Sequence, residues 1–171
     1  MKRNIRGFEE FVNEEKKPKI DEVTKIEEIK EDNTEESKEE SKGIDNLKDD
    51  TFNFLLKVLG YRNQLRVNHW QTEIFSEHKM TDDLMEVIDE KVDAIGESTL
   101  GIFGRPKIQK QDTEVTDIKD ISTKEIIENI HKGLCELVEQ YKETEHEGII
   151  SLLGDFCAEI EKFKYLSTFS E

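Results

Sequence analysis

The sequence predicts an all-α protein: a four-helix bundle with one long connection between its second and third helices, preceded by a disordered or weakly helical charged tail. Three observations predict it. Apolar residues recur at steps of three and four in four separate stretches, and nowhere with the period of two that a half-buried strand needs. The two prolines, Pro18 and Pro106, fall outside those stretches. The first 43 residues hold too few apolar side chains to offset the entropy of ordering them.

Composition bounds the rest. Of 171 residues, 39% are charged and only 34% apolar, which suits one domain with a core plus an unfolded appendage. Net charge is −16; residues 1–43 carry 10 basic and 14 acidic side chains, so −12 belongs to residues 44–171. An acidic folded part repels phosphate backbones and attracts metal cations, which argues against direct DNA binding. Cys135 and Cys157 are too few for a disulfide framework. Both lie in apolar helical patterns and are expected to be reduced core thiols. No long apolar run occurs, so neither a membrane span nor a secretory signal is expected, and the cytoplasm is the default location.

In chain order, residues 1–43 read as the tail, with Phe8, Phe11 and Val12 spaced for a short amphipathic helix. The first core helix is expected from about Ile44 to Phe75, with Phe52, Leu55, Leu56, Leu59, Leu65 and Trp70 giving its apolar side together with Val58. The second runs from Thr81, a candidate cap, to Phe103, with Leu84, Ile88, Val92 and Ile95 inward and Gly101, Gly104 and Pro106 ending it. Residues 105–121 form a polar connection with a short helix expected around Thr113–Lys119. Ser122-Thr-Lys-Glu125 has capping-box spacing and opens the third helix, whose inner face is Ile126, Ile127, Ile130, Leu134, Leu137 and Tyr141. The fourth carries Ile149, Ile150, Leu153, Phe156, Ile160, Phe163 and Leu166 and frays into residues 167–171. Four helices around one core (44–171) with one long connection describe a bundle of the ferritin-like kind.

The residues with chemistry concentrate between His69 and Glu97. Asp82, Glu86, Asp89, Asp93 and Glu97 fall on one stripe of the second helix, and such a stack repels itself unless water, a cation or a facing base offsets it. His69 and His78 stand just upstream, on or near the end of the preceding helix. Imidazoles and carboxylates converging between helices hold iron in helical bundles; a solvated acidic face beside two surface histidines is the plainer alternative. Glu128-Asn-Ile-His131 has the Glu-x-x-His spacing of larger di-iron bundles, but only one copy exists, which makes chance the better account. His146, among acids, reads as a surface residue, and Glu86, Asp89 and Glu90 as a solvated face.

His69-Trp70, His78, Asp82, Asp93-Ala-Ile-Gly-Glu97 and Gly104-Arg105-Pro106 together resemble the signature of the Dps family, the miniferritins. Ala158-Glu-Ile-Glu-Lys162 resembles that family's last helix. The resemblance spans about Asp45 to Glu171. It implies a ferritin-like bundle that binds Fe(II), oxidises it with hydrogen peroxide or dioxygen, and stores Fe(III) mineral in a homo-oligomeric shell, a dodecamer. It also implies a mono- or di-iron site straddling a two-fold contact: His69, His78 and Asp82 from one subunit, Asp93 and Glu97 from its mate. Trp70 would sit beside the metal as a redox-active residue; ordinary packing is its alternative role. Two departures stand out: the His69–His78 interval is three residues shorter than the family's and lacks its glycine, and Ser98 replaces a frequent arginine. The family's basic DNA-binding tail has no counterpart here.

Gly7-Phe-Glu-Glu-Phe-Val-Asn-Glu14 resembles capsid-targeting peptides of large tailed phages, whose proteases cut after Ile-x-Glu tripeptides. Ile20-Asp-Glu22, Ile26-Glu-Glu28 and Ile29-Lys-Glu31 have that form, although Glu-rich tails generate it readily. That resemblance implies a virion-interior alternative to the cytoplasm. Two classes of function follow: an iron-oxidising miniferritin, and a non-catalytic ferritin-like structural or packaged protein with a vestigial metal site.

Overall fold

The computed structural model describes residues 36–106, 108 and 114–169, with side chains in the first helix from residue 46 onward. The chain divides into Met1–Asp32 and Asn33–Glu171, and all described residues belong to the second unit. Residues 1–35 of the tail, with its short helix, its targeting peptide and its Ile-x-Glu tripeptides, lie outside the described residues.

Four helices form: α1 Glu36–Gln71, α2 Phe75–Phe103, α3 Thr123–Tyr141 and α4 Glu147–Ser167, with no strand among the described residues. α1 starts at Glu36, ahead of the expected Ile44. Residues 36–42 lack an apolar face, but their Glu and Lys are good helix formers, and adding turns to an existing helix needs no new nucleus. The buried stripe of α1 is Leu47, Thr51, Leu55, Val58 and Leu65. Leu59 and Trp70, expected to face inward, are exposed, while the polar Gln64 and Asn68 are buried.

The α1–α2 corner also departs from expectation. α1 stops at Gln71 and α2 starts at Phe75, so only Thr72, Glu73 and Ile74 connect them. The Thr72 hydroxyl donates to Glu77 Oε2 at 2.6 Å and accepts the Ile74 N–H at 3.2 Å, closing the corner without a capping side chain on Ile74. Thr81 is therefore not a cap. It lies inside α2, fully buried, with its hydroxyl donating back to Glu77 O and His78 O. Gly104 ends α2 with φ 72°, and its N–H donates to Leu100 O at 3.0 Å; a left-handed residue there suits glycine.

α1 packs on α2 and α3, and α4 packs on the same two, so the cyclic order is α1–α2–α4–α3. α2 and α3 are diagonal, which is why the chain between them must be long. The short helix expected near Thr113–Lys119 is absent among the described residues; 114–117 are irregular and 118–120 make a turn. Side chains of α1 take the backbone groups that a helix would have used. Gln64 donates Nε2–H to Thr116 O and accepts the Thr116 N–H, both at 2.8 Å, and Gln71 accepts the Ile118 N–H at 2.8 Å. Asn68 Nδ2 donates to Ile121 O at 3.1 Å.

The other helices bury what their periodicity predicts: Leu84, Ile88 and Ile95 on α2, Ile126, Ile130 and Leu134 on α3, Leu153, Phe156 and Ile160 on α4. Leu166 is the exception and is exposed. Ser122 Oγ accepts the Glu125 N–H at 3.2 Å, the cap its spacing predicts. Tyr141 is buried, with its hydroxyl 2.9 Å from Thr51 Oγ1, and the Thr51 hydroxyl donates to Leu47 O at 2.8 Å.

Candidate metal centre

The three-residue corner folds the start of α2 back against the end of α1. His78 therefore sits in the first turn of α2, not on the preceding helix, and faces His69 in the last turn of α1. Their rings stack with centroids 3.8 Å apart and planes 24° from parallel. Each ring bonds to the other residue's backbone: His69 Nδ1 to His78 O at 3.0 Å, and His78 Nδ1 to His69 O at 3.0 Å. A carbonyl only accepts, so both Nδ1 atoms carry a proton, which leaves Nε2 of each ring as the position for a metal. Buried Thr81 Oγ1 lies 3.1 Å from His69 Nδ1 as a second acceptor. A histidine ligand that donates its other N–H to a fixed acceptor is the usual support behind a metal.

Asp82, one turn beyond His78, completes the group. One ligand-type atom each from His69, His78 and Asp82 lie within 4.8 Å of one another. His69 is 8% exposed, while His78 and the Asp82 side chain reach solvent. Asp82 Oδ1 stands 3.7 Å from His69 Nδ1 and 3.4 Å from Arg66 Nη1. Two imidazoles and a carboxylate are fitting donors for Fe(II) and similar divalent ions.

The remaining site residues from the sequence are elsewhere. At 1.5 Å rise per residue, Asp93 and Glu97 lie about 16 and 22 Å beyond Asp82 along α2. Both are exposed, and neither reaches the histidines of its own chain. Trp70 is 71% exposed among the described residues, and Ile74 and Phe75 (82%) are exposed beside it. The acid stripe is partly offset. Arg62 grips Asp89 through Nε–Oδ1 at 3.0 Å and Nη2–Oδ2 at 2.7 Å, and Arg66 takes Asp82.

A second group was hidden from the sequence. One ligand-type atom each from His131 and Cys135 of α3 and Cys157 of α4 lie within 4.8 Å of one another. Both cysteines are free thiols; Cys157 is half-buried and packs against the core, whereas Cys135 is exposed and is not the core thiol expected. Burial, foremost, and the neighbouring Cys135 push the Cys157 thiol up to about 11. The partner of His131 is Glu161 on α4, at 3.4 Å from Nε2, rather than Glu128. The available signal was a His-x3-Cys in one helix and a Cys-x3-Glu in its antiparallel neighbour. His146 is half-buried, its ring edge-on to Phe103 at 4.8 Å between centroids. A groove of about 520 Å3 between α1 and the α2–α3 connection, near Tyr61 and Glu114, touches neither cluster.

Fold and site together define an all-helical, four-helix protein with two groups of metal-ligand-type side chains. Residues 69–166, more than half of the chain, match the model of DUF5856, a family of unknown function, and the protein belongs to that family. No curated protein and no solved structure matches it. No helix among the described residues is long and apolar enough to cross a membrane.

Proposed function

We propose that the protein is a miniferritin-type ferroxidase, which binds Fe(II) at the α1–α2 corner, passes its electrons to hydrogen peroxide or dioxygen, and stores ferric iron in an oligomeric shell. The observation that carries the reading is the convergence of His69, His78 and Asp82, with both Nδ1 protons held by backbone carbonyls. The single long connection joining diagonal helices is also the topology of ferritin-like bundles. Three protein ligands leave a hard cation short of donors, and Asp93 and Glu97 of a second copy would supply the rest. The exposed Trp70, Ile74 and Phe75 beside the histidines favour a second copy covering this corner. With peroxide as oxidant, two Fe(II) give one electron each; the O–O bond breaks, two protons are taken up and two waters leave.

An aerobic Fe(II) titration of the full chain, followed by absorbance and sizing, tests this reading. The expected result is oxidation faster than in buffer, abolished by His69→Ala with His78→Ala. Subunit sharing is tested by co-assembling that double variant with Asp93→Asn/Glu97→Gln. A two-fold shared site regenerates one intact copy per mixed dimer, hence about half the activity. No recovery would reject the shared geometry.

The second reading is a structural or packaged ferritin-like protein with a vestigial site. It is favoured by one feature: Asp82 is already paired with Arg66, without a cation. Absence of Fe(II) binding at micromolar concentration selects it.

A further inference from the structure

We propose that His131, Cys135 and Cys157 form a separate metal site, for a thiophilic cation of the Zn(II) type, on the solvent-facing seam between α3 and α4. It does not depend on the iron reading. His131 and Cys135 are four residues apart and share one face of α3; Cys157 and Glu161 do the same on α4. The two helices pack on each other, and that pairing brings all four side chains to one place.

The spacing suits a tetrahedral ion. With metal–sulfur bonds near 2.3 Å, the edges of a thiolate tetrahedron are about 3.8 Å. Here the three candidate atoms lie within 4.8 Å, and Cys135 Sγ is 4.0 Å from each ring nitrogen of His131. Rotamer adjustment alone closes that gap. Glu161 stands 3.4 Å from Nε2. Accepting the Nε2 proton, its carboxylate leaves the Nδ1 lone pair for the metal, the carboxylate–histidine–metal pattern. Glu161 is thus a positioning residue, the protein ligands number three, and the fourth position faces water.

The ligand chemistry separates this site from the first. Two thiolates and an imidazole select borderline and soft cations such as Zn(II), whereas imidazole with carboxylate suits Fe(II). Binding a divalent ion ionises both thiols: each S–H bond breaks, its proton goes to solvent, and its sulfur lone pair goes to the metal.

The test uses the full chain, reduced and freed of metal, titrated with Co(II) as spectroscopic probe and then with Zn(II). The expected result is one sulfur-ligated Co(II) per chain, seen as sulfur-to-cobalt charge-transfer absorption with the visible bands of tetrahedral coordination, both displaced by Zn(II). Cys135→Ser and Cys157→Ser should each abolish the charge-transfer intensity expected from two thiolates, and His131→Ala should shift the visible bands. Glu161→Gln should keep the spectrum but weaken binding by about 10–100-fold, as loss of a supporting carboxylate does. His69→Ala/His78→Ala should leave all of it intact. Should a variant fail to fold, alkylation of the unaltered protein decides: Zn(II) must protect Cys135 and Cys157 together. Absence of the charge-transfer band, its survival in both serine variants, or unprotected thiols would overturn the proposal. So would closure of the two cysteines into a disulfide in the presence of Zn(II).

Discussion

His69 and His78 hold each other by exchange: each ring's Nδ1 donates to the other residue's carbonyl, and the two rings stack 3.8 Å apart. The exchange fixes tautomer and orientation at once, across a turn of three residues. Thr81 adds the deeper support, because its buried hydroxyl faces His69 Nδ1 while its own proton goes to the backbone. Thr81→Val keeps the shape and removes the oxygen. Metal affinity at this corner should fall about 10–100-fold, the usual effect of losing a support behind a ligand. Fe(II) titration of Thr81→Val, with helicity checked by circular dichroism, measures it; unchanged affinity would show that the backbone carbonyls suffice.

Gly133 lies inside α3, where glycine costs about 1 kcal/mol relative to alanine. It is tolerated because the Phe54 ring of α1 fills the place of a side chain, and a Cβ at Gly133 would collide with that ring. Gly133→Ala should therefore destabilise by about 1–3 kcal/mol of overpacking, less the helix-propensity gain. Adding Phe54→Leu should recover part of the loss, so that the drop in denaturant midpoint of the double variant is smaller than the sum of the drops of the two singles.

Tyr141 lies buried against Thr51, and burial raises its hydroxyl above the ordinary value of 10.0, outweighing the hydrogen bonding to Thr51 and Thr99 that lowers it. A raised folded-state value means that the folded chain holds this proton more tightly than the unfolded one. The stabilisation is fully present below the unfolded-state value and is lost as pH rises through the folded-state value. Thermal midpoints should thus decline on the alkaline side, and Tyr141→Phe, which has no proton to lose, should flatten that decline. An unchanged alkaline slope in Tyr141→Phe would refute the assignment. At neutral pH the same variant should cost about 1 kcal/mol for the lost hydrogen bond.

Gln64 and Asp117 hold the α2–α3 connection in different ways. Gln64 is buried and satisfies both backbone groups of Thr116, so Gln64→Leu should cost about 1–3 kcal/mol and speed amide exchange at Thr116. Asp117 is exposed; its carboxylate accepts the Lys119 N–H, chiefly, and a Gln71 amide proton, and both keep it below the usual carboxylate value. Its contribution is present above the unfolded-state value and is lost as pH falls through the folded one. Exchange at Lys119 should quicken in acid beyond the intrinsic trend, and Asp117→Asn should remove that dependence.

Much of the fold was legible because three helices have unambiguous apolar faces. Ile126, Ile130 and Leu134 recur with the helix period, and Ser122 announces their start. α1 was less legible. Its buried face includes Thr51, Gln64 and Asn68, whose burial depends on Tyr141, Thr116 and Ile121, all more than 50 residues away in sequence. Hydropathy at Leu59 and Trp70 pointed inward where the helix points out. At the site, the family resemblance grouped His69, His78 and Asp82, but it did not give the geometry of a corner only three residues long. The arginines facing the acids, Arg62 and Arg66, lie on another helix and carried no local signal. Cys135 misled because helical spacing locates a side of a helix without saying whether that side meets core or seam.

The diagonal placement of α2 and α3 shapes the route to the native state. α1 with α2, and α3 with α4, are each hairpins of residues near in sequence, and local contacts of that kind form early. Joining the halves is the step that requires the long tether to close. Loop-closure cost grows only as the logarithm of length, about 0.6 kcal/mol for each doubling. Glycine–serine residues inserted between α2 and Thr116 should therefore slow refolding modestly in stopped-flow measurements while leaving the unfolding rate nearly unchanged. The same two-halves design allows a hairpin of one chain to dock onto the complementary hairpin of another, so exchange of halves between copies is the misassembly to which this architecture is most exposed.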